Sequence, residues 1–215
     1  GNTFVNKYDL IVLGGGSGGL AAAQRASEYG ARVVVIEPAR LGGTCVNVGC
    51  VPKKVMWNAA QISQEIDDAA DYGFQISRHD HDWTVLKQKR DAYIKRLNGI
   101  YQSNLEKKSI DLIQGRGKFI SATEIETEGG DKLHAENILI ATGGFPIVPE
   151  IPGANFGITS DGFFDLEKIP QRVGIIGSGY IAVELAGVLN ALGSHVVQFL
   201  RYDSVLRSFE EKLGS

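Results

Sequence analysis

Both cysteines of this 215-residue chain, Cys45 and Cys50, lie in one segment, GGTCVNVGCVPKK at residues 42–54. Two thiols at this spacing can form a structural disulfide, hold a metal ion, or act together as a redox pair. A structural disulfide would close only a very small loop and would add little stability. A metal site would need two further ligands, which only His79 and His81, in a distant polar segment, could supply. A redox pair explains why the two thiols lie together, whereas the other two interpretations merely permit it.

Cys50 stands at the start of a helix that the sequence predicts over residues 51–72. Pro52 suits the first turn of a helix, because the N–H group that proline lacks has no intrahelical partner there. Apolar residues recur along the segment with the period of a helix. The positive end of the helix dipole, together with Lys53 and Lys54, favours the thiolate form of Cys50. This electropositive setting is typical of a reactive thiol.

A glycine-rich turn follows the first predicted strand. The apolar run YDLIVL ends in GGGSGG at residues 14–19, and a helix-forming stretch and a second apolar run, RVVVIE, come after it. Gly14, Gly16 and Gly19 match the pattern G-x-G-x-x-G, and Glu37 ends the second run. In such a βαβ unit the glycines allow a tight turn and the approach of a pyrophosphate, and the acid accepts a hydrogen bond from a ribose hydroxyl. The segment therefore predicts a dinucleotide-binding unit.

The same pattern recurs near the end of the chain. Gly177, Gly179 and Ala182 give G-x-G-x-x-A between the apolar runs RVGII and HVVQFLR. No carboxylate ends the second run; Arg201 and Arg207 stand there instead. A guanidinium suits the 2′-phosphate that distinguishes NADPH from NADH. The second unit therefore favours NADPH, and two arginines on a solvated loop are the alternative.

Two such units in one chain imply two dinucleotides, and the usual partner of a nicotinamide nucleotide is a flavin. We therefore expect FAD in the first unit and NADPH in the second. The fold class is α/β: a Rossmann-like FAD-binding domain with a β-meander at 1–150, followed by the start of a second Rossmann-like domain, which binds NADPH, at 151–215. The elements expected between the units are a helix at 83–108, strands at 110–115, 118–120 and 123–128, a hairpin turn at 129–131 and a buried strand at 137–141.

The composition is that of a globular protein without a strong charge bias. Hydrophobic residues make up 43% of the chain and charged residues 22%, and the net charge is −3 at pH 7. No basic stripe indicates a nucleic-acid or membrane partner, and no apolar run approaches the roughly 20 residues of a membrane-spanning helix. Because two cysteines do not make a secreted disulfide scaffold, we expect a cytoplasmic protein.

The cysteine segment, together with GGGSGG at 14–19, ATGG at 141–144 and GSGYIAVELAG at 177–187, resembles the pyridine nucleotide–disulfide oxidoreductases over essentially the whole chain. The resemblance implies a homodimeric enzyme of thiol redox homeostasis in which hydride passes from NADPH to FAD and electrons continue to a Cys45–Cys50 redox disulfide. It also implies a small disulfide as substrate, glutathione disulfide or a similar molecule. Lys53 and Arg201 differ from the Ser and the acid that are usual in family members acting on dihydrolipoamide.

The same resemblance implies a role for each matching residue. Cys50 would receive the electrons, and Cys45 would attack the substrate disulfide. Lys53 would lie near the flavin with Glu184 as its ion-pair partner, and Tyr180 would cover the nicotinamide site. The residues implied in cofactor binding are Gly14, Gly16, Ser17, Gly18, Gly19, Glu37, Gly43, Thr44, Cys45, Lys53, Gly117, Thr142, Gly143, Gly177, Gly179, Tyr180, Ile181, Glu184, Arg201 and Arg207.

Six positions match those that line the glutathione site in the family: Ser17, Gln24, Tyr93, Ile100, Tyr101 and Asn104. Helix packing is the alternative for Tyr93, Ile100 and Tyr101. Gln24 stands where members that reduce glutathione disulfide often carry Arg. Because Gln can donate a hydrogen bond but carries no charge, we expect weaker binding of a substrate carboxylate.

Members of the family are much longer than this chain, and we expect residues 1–215 to be an N-terminal part with little or no turnover alone. The C-terminal dimerisation domain of the family supplies a His-Glu acid–base pair, and loss of such catalysis costs about 10²–10⁴ in rate. Two alternatives remain: a related reductase of the trypanothione, mycothione or dihydrolipoamide type, and a non-catalytic flavin-binding module. Against the trypanothione type, Ala21 and Gln24 stand where those enzymes carry an acid and a bulky aromatic residue.

Overall fold

A computed structural model describes residues 6–77, 80–209 and 212. The chain divides into two compact units: unit 1 comprises Gly1–Val51 and Ala92–Ile147, and unit 2 comprises Pro52–Asp91 and Val148–Ser215. We expected Pro52–Asp91 in the first domain, but this segment is grouped with unit 2. The domain boundary at residue 150 stays a prediction.

Unit 1 is built on a six-stranded sheet with the strand order β3-β2-β1-β6-β5-β4. Its strands are β1 (Asn6–Leu13), β2 (Val33–Glu37), β3 (Asp111–Gln114), β4 (Gly117–Phe119), β5 (Glu124–Thr127) and β6 (Lys132–Ile140). β3, β2, β1 and β6 run parallel. The run VVVIE of β2 is buried along its whole length, as expected of a parallel strand that is covered on both faces.

The last three strands of the sheet form the expected meander. β4 pairs antiparallel with β5, and β5 pairs antiparallel with β6. Because β6 also runs parallel to β1, it joins the meander to the dinucleotide-binding part of the sheet. The α/β class with a parallel-dominated sheet and a meander is therefore confirmed.

The helices of the first part of the chain are α1 (Ser17–Glu28), α2 (Gly43–Val48), α3 (Cys50–Asp68) and α4 (Trp83–Lys107). α3 is shorter than the predicted helix, because residues Ala69–Tyr72 form a 3-10 turn. One buried cluster holds Leu20 of α1 and Leu105 of α4 together with Val33 and Val35 of β2. The alternate residues Val34 and Ile36 belong to a second cluster, so both faces of the sheet are apolar.

Unit 2 contains a second βαβ arrangement. It consists of β7 (Arg172–Ile176), α6 (Tyr180–Ala191) and β8 (His195–Phe199), and the two strands are parallel. Leu185, Val188 and Leu189 form the buried side of α6. The start of a second Rossmann-like unit is therefore confirmed. Among the described residues, no helix combines the length and the apolar character needed to span a membrane.

Arg90 is an almost fully buried charged side chain of unit 2, with 2% of its surface exposed. Its Nη2 donates to the backbone oxygen of Phe164 at 2.6 Å and to Asp91 Oδ1 at 2.7 Å, and its Nη1 lies 3.2 Å from Met56 Sδ. Met56 belongs to α3 and Phe164 to α5 (Ser160–Asp165). One guanidinium therefore connects three helices of unit 2.

Candidate redox and dinucleotide-binding sites

Gly14 and Gly19 of the first glycine-rich turn leave no room for a side chain. Gly14 follows β1 with φ = +109°, and a Cβ atom there would lie 2.1 Å from the backbone oxygen of Ala141. A Cβ atom on Gly19 would lie 1.9 Å from the Gly14 oxygen. α1 begins at Ser17 with Gly16 as its N-cap, and no described side chain caps it. The first N–H groups of the helix are therefore available to an anion such as a pyrophosphate.

Glu37 holds this turn against the end of β2. Its carboxylate is buried; Oε2 accepts from the Gly15 N–H at 2.6 Å, and Oε1 accepts from the Ala39 N–H at 2.8 Å. A carboxylate oxygen can accept more than one hydrogen bond, so both oxygens retain capacity for a ribose hydroxyl. The acid thus orders the loop and can also bind a nucleotide.

The segment ATGG lies beside the same turn, because β6 and β1 run parallel and end together. The Ala141 N–H donates to the Leu13 oxygen at 2.8 Å, and exposed Thr142 and Gly143 follow. The carboxyl ends of β2, β1 and β6 thus meet where the strand connections diverge, which is the usual ligand position in an open α/β sheet. These residues fit a dinucleotide.

A side chain at Gly43 or Gly117 would clash, with a different neighbour at each position. A Cβ atom on Gly43 would lie 2.7 Å from Gly16 Cα, so the start of α2 packs directly on the glycine-rich turn. A Cβ atom on Gly117 would lie 2.8 Å from a methyl group of Ile125 in the meander. Packing inside unit 1 therefore explains Gly117 without a cofactor.

The redox loop, residues 41–50, brings the two thiols together. Cys45 lies within α2, which ends at Val48 with Gly49 as its C-cap, and Cys50 is the first residue of α3. A Cβ atom on Gly49 would lie 2.8 Å from the Thr44 oxygen, so the chain reverses tightly between the two cysteines. Both cysteines are free thiols in this structure, Cys45 half-buried and Cys50 exposed. Burial raises the pKa of the Cys45 thiol, and a hydrogen bond with Cys50 raises it further.

Two asparagines around the redox loop were missed by sequence reasoning. Asn47, between the two cysteines, is 7% exposed and donates to the backbone oxygens of Leu41 and Gly43. Asn98 of α4 donates to Asn47 Oδ1 and to the same Leu41 oxygen. The position of Asn47 between the cysteines is a signal that the sequence offers, whereas nothing local marks Asn98.

The metal alternative receives no support from the described part of the chain, where no group of three or more His, Cys, Asp or Glu side chains could hold an ion. His79, one of the two histidines considered as ligands, lies outside the described residues.

The candidate substrate residues of α4 lie on one side of the helix, because Ile100, Tyr101 and Asn104 follow Tyr93 by seven, eight and eleven residues. Tyr93 is 39% exposed and Ile100 46% exposed, so core packing does not account for them. Tyr101 packs partly against the buried cluster of unit 1, and Asn104 is half-buried. On α1, Ser17 is exposed, whereas Gln24 donates to the Leu20 oxygen of its own helix at 3.2 Å.

The second glycine-rich turn, in unit 2, repeats the geometry of the first. Gly177 has φ = +138°, and its N–H donates to the Phe199 oxygen at the end of β8. Gly179 is the N-cap of α6, which no described side chain caps. The Leu206 N–H donates to the Ser178 oxygen at 2.8 Å, so the loop after β8 folds back onto the turn. This loop carries the two candidate phosphate-binding arginines.

Arg201 and Arg207 form a positive cluster around Tyr202. The Arg207 guanidinium carbon lies 3.6 Å from the centroid of the Tyr202 ring. Hydrogen bonds from Arg207 and Arg201 lower the pKa of Tyr202, because both cations stabilise the phenolate. The cluster stands where the first unit has Glu37, and its charge suits a 2′-phosphate.

Lys53 and Glu184 form the ion pair that the resemblance implied. Lys53 Nζ of α3 lies 2.7 Å from Glu184 Oε1 of α6, and both side chains are about one-third exposed or less. Tyr180 and Ile181, at the start of α6, are 56% and 44% exposed. An exposed Tyr180 side chain is free to change rotamer when a ligand arrives.

The fold and these sites define an α/β protein with two dinucleotide-binding units and a pair of contacting cysteines. Residues 8–215 match the family described as "Pyridine nucleotide-disulphide oxidoreductase", and the chain belongs to this family. It is 50% identical over 216 residues to a glutathione reductase of Yarrowia lipolytica and 52% identical over 211 residues to one of Schizosaccharomyces pombe. Each alignment covers 94% of this chain and 46% of the relative, so the chain spans about half the length of these relatives.

Proposed function

We propose that the protein is an NADPH-dependent flavoprotein disulfide reductase that converts glutathione disulfide into two molecules of glutathione. The observation that carries the proposal is the contact of the Cys45 and Cys50 thiols in a loop that packs on the first glycine-rich turn. Membership of the family and the two glutathione reductases support the reaction class and the substrate.

The two glycine-rich turns support one binding position for each cofactor. Residues of the first turn, Glu37, Thr44 and Thr142 would hold FAD in unit 1, and the turn at 177–179 with Arg201 and Arg207 would hold NADPH in unit 2. When bound, FAD would supply the two-electron relay between the nicotinamide and the cysteine pair.

Lys53 and Glu184 would supply fixed charge beside the cofactor. An ammonium group that is held by a carboxylate 2.7 Å away stays charged and aimed in one direction. Such preorganised charge lowers the barrier to charge transfer without a reorganisation cost at the moment of reaction. Tyr180, exposed at the N-terminus of α6, would cover the nicotinamide position until the nucleotide enters.

The cysteines would carry out the exchange with the substrate. Cys45 attacks one sulfur of glutathione disulfide; the substrate S–S bond breaks, a mixed disulfide forms, and one glutathione leaves with a proton. Cys50 then attacks the Cys45 sulfur, which restores the Cys45–Cys50 bond and releases the second glutathione. Since burial raises the pKa of Cys45, this thiol needs a base to accept its proton before it attacks.

The substrate side would be formed by exposed residues of α4 and α1. Tyr93 and Ile100 present apolar surface, and Asn104, Ser17 and Gln24 offer polar groups for the glutathione backbone. Gln24 can reach the substrate only by giving up its bond to the Leu20 oxygen. We also propose that the complete protein is a homodimer in the cytoplasm, where reducing conditions keep a catalytic cysteine pair available.

The test is a steady-state assay of the protein at its natural length, purified with its bound flavin. We expect NADPH consumption with glutathione disulfide, and a much higher kcat/KM than with trypanothione disulfide, mycothione disulfide or lipoamide. A preference for one of these disulfides would overturn the substrate but not the reaction class. A flavoprotein that binds FAD and shows no NADPH consumption with any of them would instead be the non-catalytic module.

A further inference from the structure

The Asn47 side chain closes the redox loop from inside. Its Nδ2 donates to the Gly43 oxygen at 2.9 Å and to the Leu41 oxygen at 3.1 Å, with a longer contact of 3.4 Å to Arg40. Both acceptors precede Cys45, whereas Asn47 follows it. A buried amide therefore ties the loop together across the first cysteine.

Asn98 completes this network from α4. Its Nδ2 donates to Asn47 Oδ1 at 3.0 Å and to the Leu41 oxygen at 2.8 Å. The two N–H groups of each side-chain amide are thus used, and the Leu41 oxygen accepts one bond from each asparagine. Reversing the Asn47 amide would turn its oxygen toward two backbone oxygens, so the network fixes the orientation of both side chains.

The network also connects the cysteines to the candidate substrate helix. Asn98 lies on the side of α4 that faces the redox loop, with buried Ile94 four residues before it and buried Leu105 seven residues after it. Tyr93 and Ile100 lie on the opposite, exposed side of the same helix. The amide pair therefore joins the redox loop to the helix that carries these candidate substrate residues on its other side.

We propose that Asn47 and Asn98 are positioning residues that hold the redox loop in the conformation in which the Cys45 and Cys50 thiols meet. A loop that is already ordered loses less entropy when its ends are joined, so the two thiols have a high effective concentration toward each other. The amide pair then shifts the dithiol–disulfide equilibrium toward the Cys45–Cys50 bond. This role rests on the proposed function, in which that bond is formed and broken in every cycle.

The experiment measures this equilibrium in the purified protein at its natural length with its bound flavin, in anaerobic glutathione buffers. Two glutathione thiols reduce the Cys45–Cys50 bond: this bond breaks, the bond of glutathione disulfide forms, and two protons pass from glutathione to the protein thiols. Alkylation followed by mass analysis of the peptide that contains both cysteines gives the oxidised fraction. NADPH takes no part, so the result does not depend on turnover.

Asn98→Asp is the main variant, because it keeps the shape of the side chain but turns a carboxylate oxygen toward Leu41 and Asn47. We expect the equilibrium constant for the disulfide to fall about tenfold, which corresponds to a midpoint potential about 30 mV higher. Asn98→Ala removes the donors without adding charge, and it should also lower the equilibrium constant for the disulfide. It replaces Asn98→Asp if that variant does not fold. The matched control is Asn137→Asp, because Asn137 is exposed on β6 and makes one bond of 3.3 Å to the Asp9 oxygen.

Thermal unfolding of each variant, in the oxidised and in the reduced form, separates positioning from general destabilisation. If the asparagine has a positioning role, its substitution lowers the difference in unfolding temperature between the oxidised and the reduced form. If its role is purely structural, the substitution lowers both unfolding temperatures equally. Equilibrium constants within twofold of the unmodified protein for Asn98→Asp and Asn98→Ala would overturn the role, as would an equal fall in Asn137→Asp. Failure of NADPH to reduce the unmodified cysteine pair would refute the proposed function separately.

Discussion

The Lys53 ammonium nitrogen lies 2.7 Å from Glu184 Oε1, and this ion pair connects α3 with α6 inside unit 2. Lys53 follows Cys50 by one turn of α3, and Glu184 follows the N-cap of α6 by five residues. The pair thus joins the helix that begins with a redox cysteine to the helix that begins at the second glycine-rich turn. We expect this pair to contribute little to stability, because partly exposed ion pairs contribute about 0–1 kcal/mol. Its proposed role is in electron transfer.

Glu184→Gln keeps the size of the side chain and removes its charge. We expect the rate of flavin reduction by NADPH, measured by stopped-flow absorbance, to fall about tenfold, since one charge-assisted hydrogen bond is worth about 1.5–3 kcal/mol before solvent screening. The control is Glu167→Gln, which removes one of the two carboxylate partners of Lys87 in the same unit. The exposed Glu167 lies 3.2 Å from Lys87 Nζ, and Asp91, which remains, lies 2.9 Å from it. Equal rates for the two variants would show that the Lys53–Glu184 pair has no special role in reduction.

The pH dependence of Cys45 alkylation tests the electrostatics of the redox loop. Burial and Cys50 raise the pKa of Cys45, so the midpoint of its alkylation rate in the reduced protein should lie above the ordinary value of about 8.5. Cys50→Ala removes the hydrogen bond and the charge of Cys50, so the midpoint should fall but stay raised by burial. Cys50→Ser keeps a hydrogen-bonding group that does not ionise, and its midpoint should lie between those of the other two proteins.

The same shift has a consequence for stability. Because the pKa of Cys45 is higher in the folded than in the unfolded protein, the folded state favours the protonated thiol. This contribution is present below the unfolded pKa and is lost as the pH rises through the folded pKa. A midpoint of Cys45 alkylation at or below that of a free thiol would contradict both expectations.

Local sequence patterns predicted most of the fold, and the errors have physical causes. The apolar runs and glycine-rich turns correctly predicted both βαβ units, since each depends on residues that are close in the chain. β6 begins at Lys132 rather than at residue 137, because Leu133 and Ala135 alternate with polar residues and become buried only by pairing with β5 and β1. A strand with such a half-polar pattern is recognisable only once its partners are known.

Two of the missed residues are polar side chains of α4. Asn98 and Arg90 look like residues of a solvated helix face, because polar residues are mostly exposed. Arg90 is buried and Asn98 is half-buried, and both are held by acceptors far away in the sequence, the oxygens of Phe164 and Leu41. The sequence did place both cysteines and the Lys53–Glu184 pair, although only the resemblance to a family indicated the second of these.

Arg201→Glu tests the choice of nucleotide. The variant places a carboxylate in a cluster that now has two guanidinium groups around Tyr202, so a 2′-phosphate would be repelled. We expect the KM for NADPH to rise about 10–100-fold, as for loss of a charged hydrogen bond of about 1.5–3 kcal/mol, with little change for NADH. Arg172→Glu, at the exposed start of β7, is the control. An equal rise in KM for both nucleotides would show that Arg201 does not recognise the 2′-phosphate.

Arg90→Met tests the connection between the three helices of unit 2. Methionine has a similar length and fills the apolar part of the space, but it leaves the Phe164 oxygen without its 2.6 Å donor and removes the cation from beside Asp91. We expect the free energy of unfolding to fall by about 2–4 kcal/mol, because a buried acceptor loses its partner and an ion pair with one buried member is broken. The measurement is equilibrium unfolding in urea, followed by far-ultraviolet circular dichroism.

The control is Arg25→Met, which breaks the exposed Arg25–Glu28 pair and should lower the free energy of unfolding by less than about 1 kcal/mol. If both variants lost the same stability, the guanidinium of Arg90 would contribute no more than a surface charge, and packing alone would hold α3, α4 and α5 together.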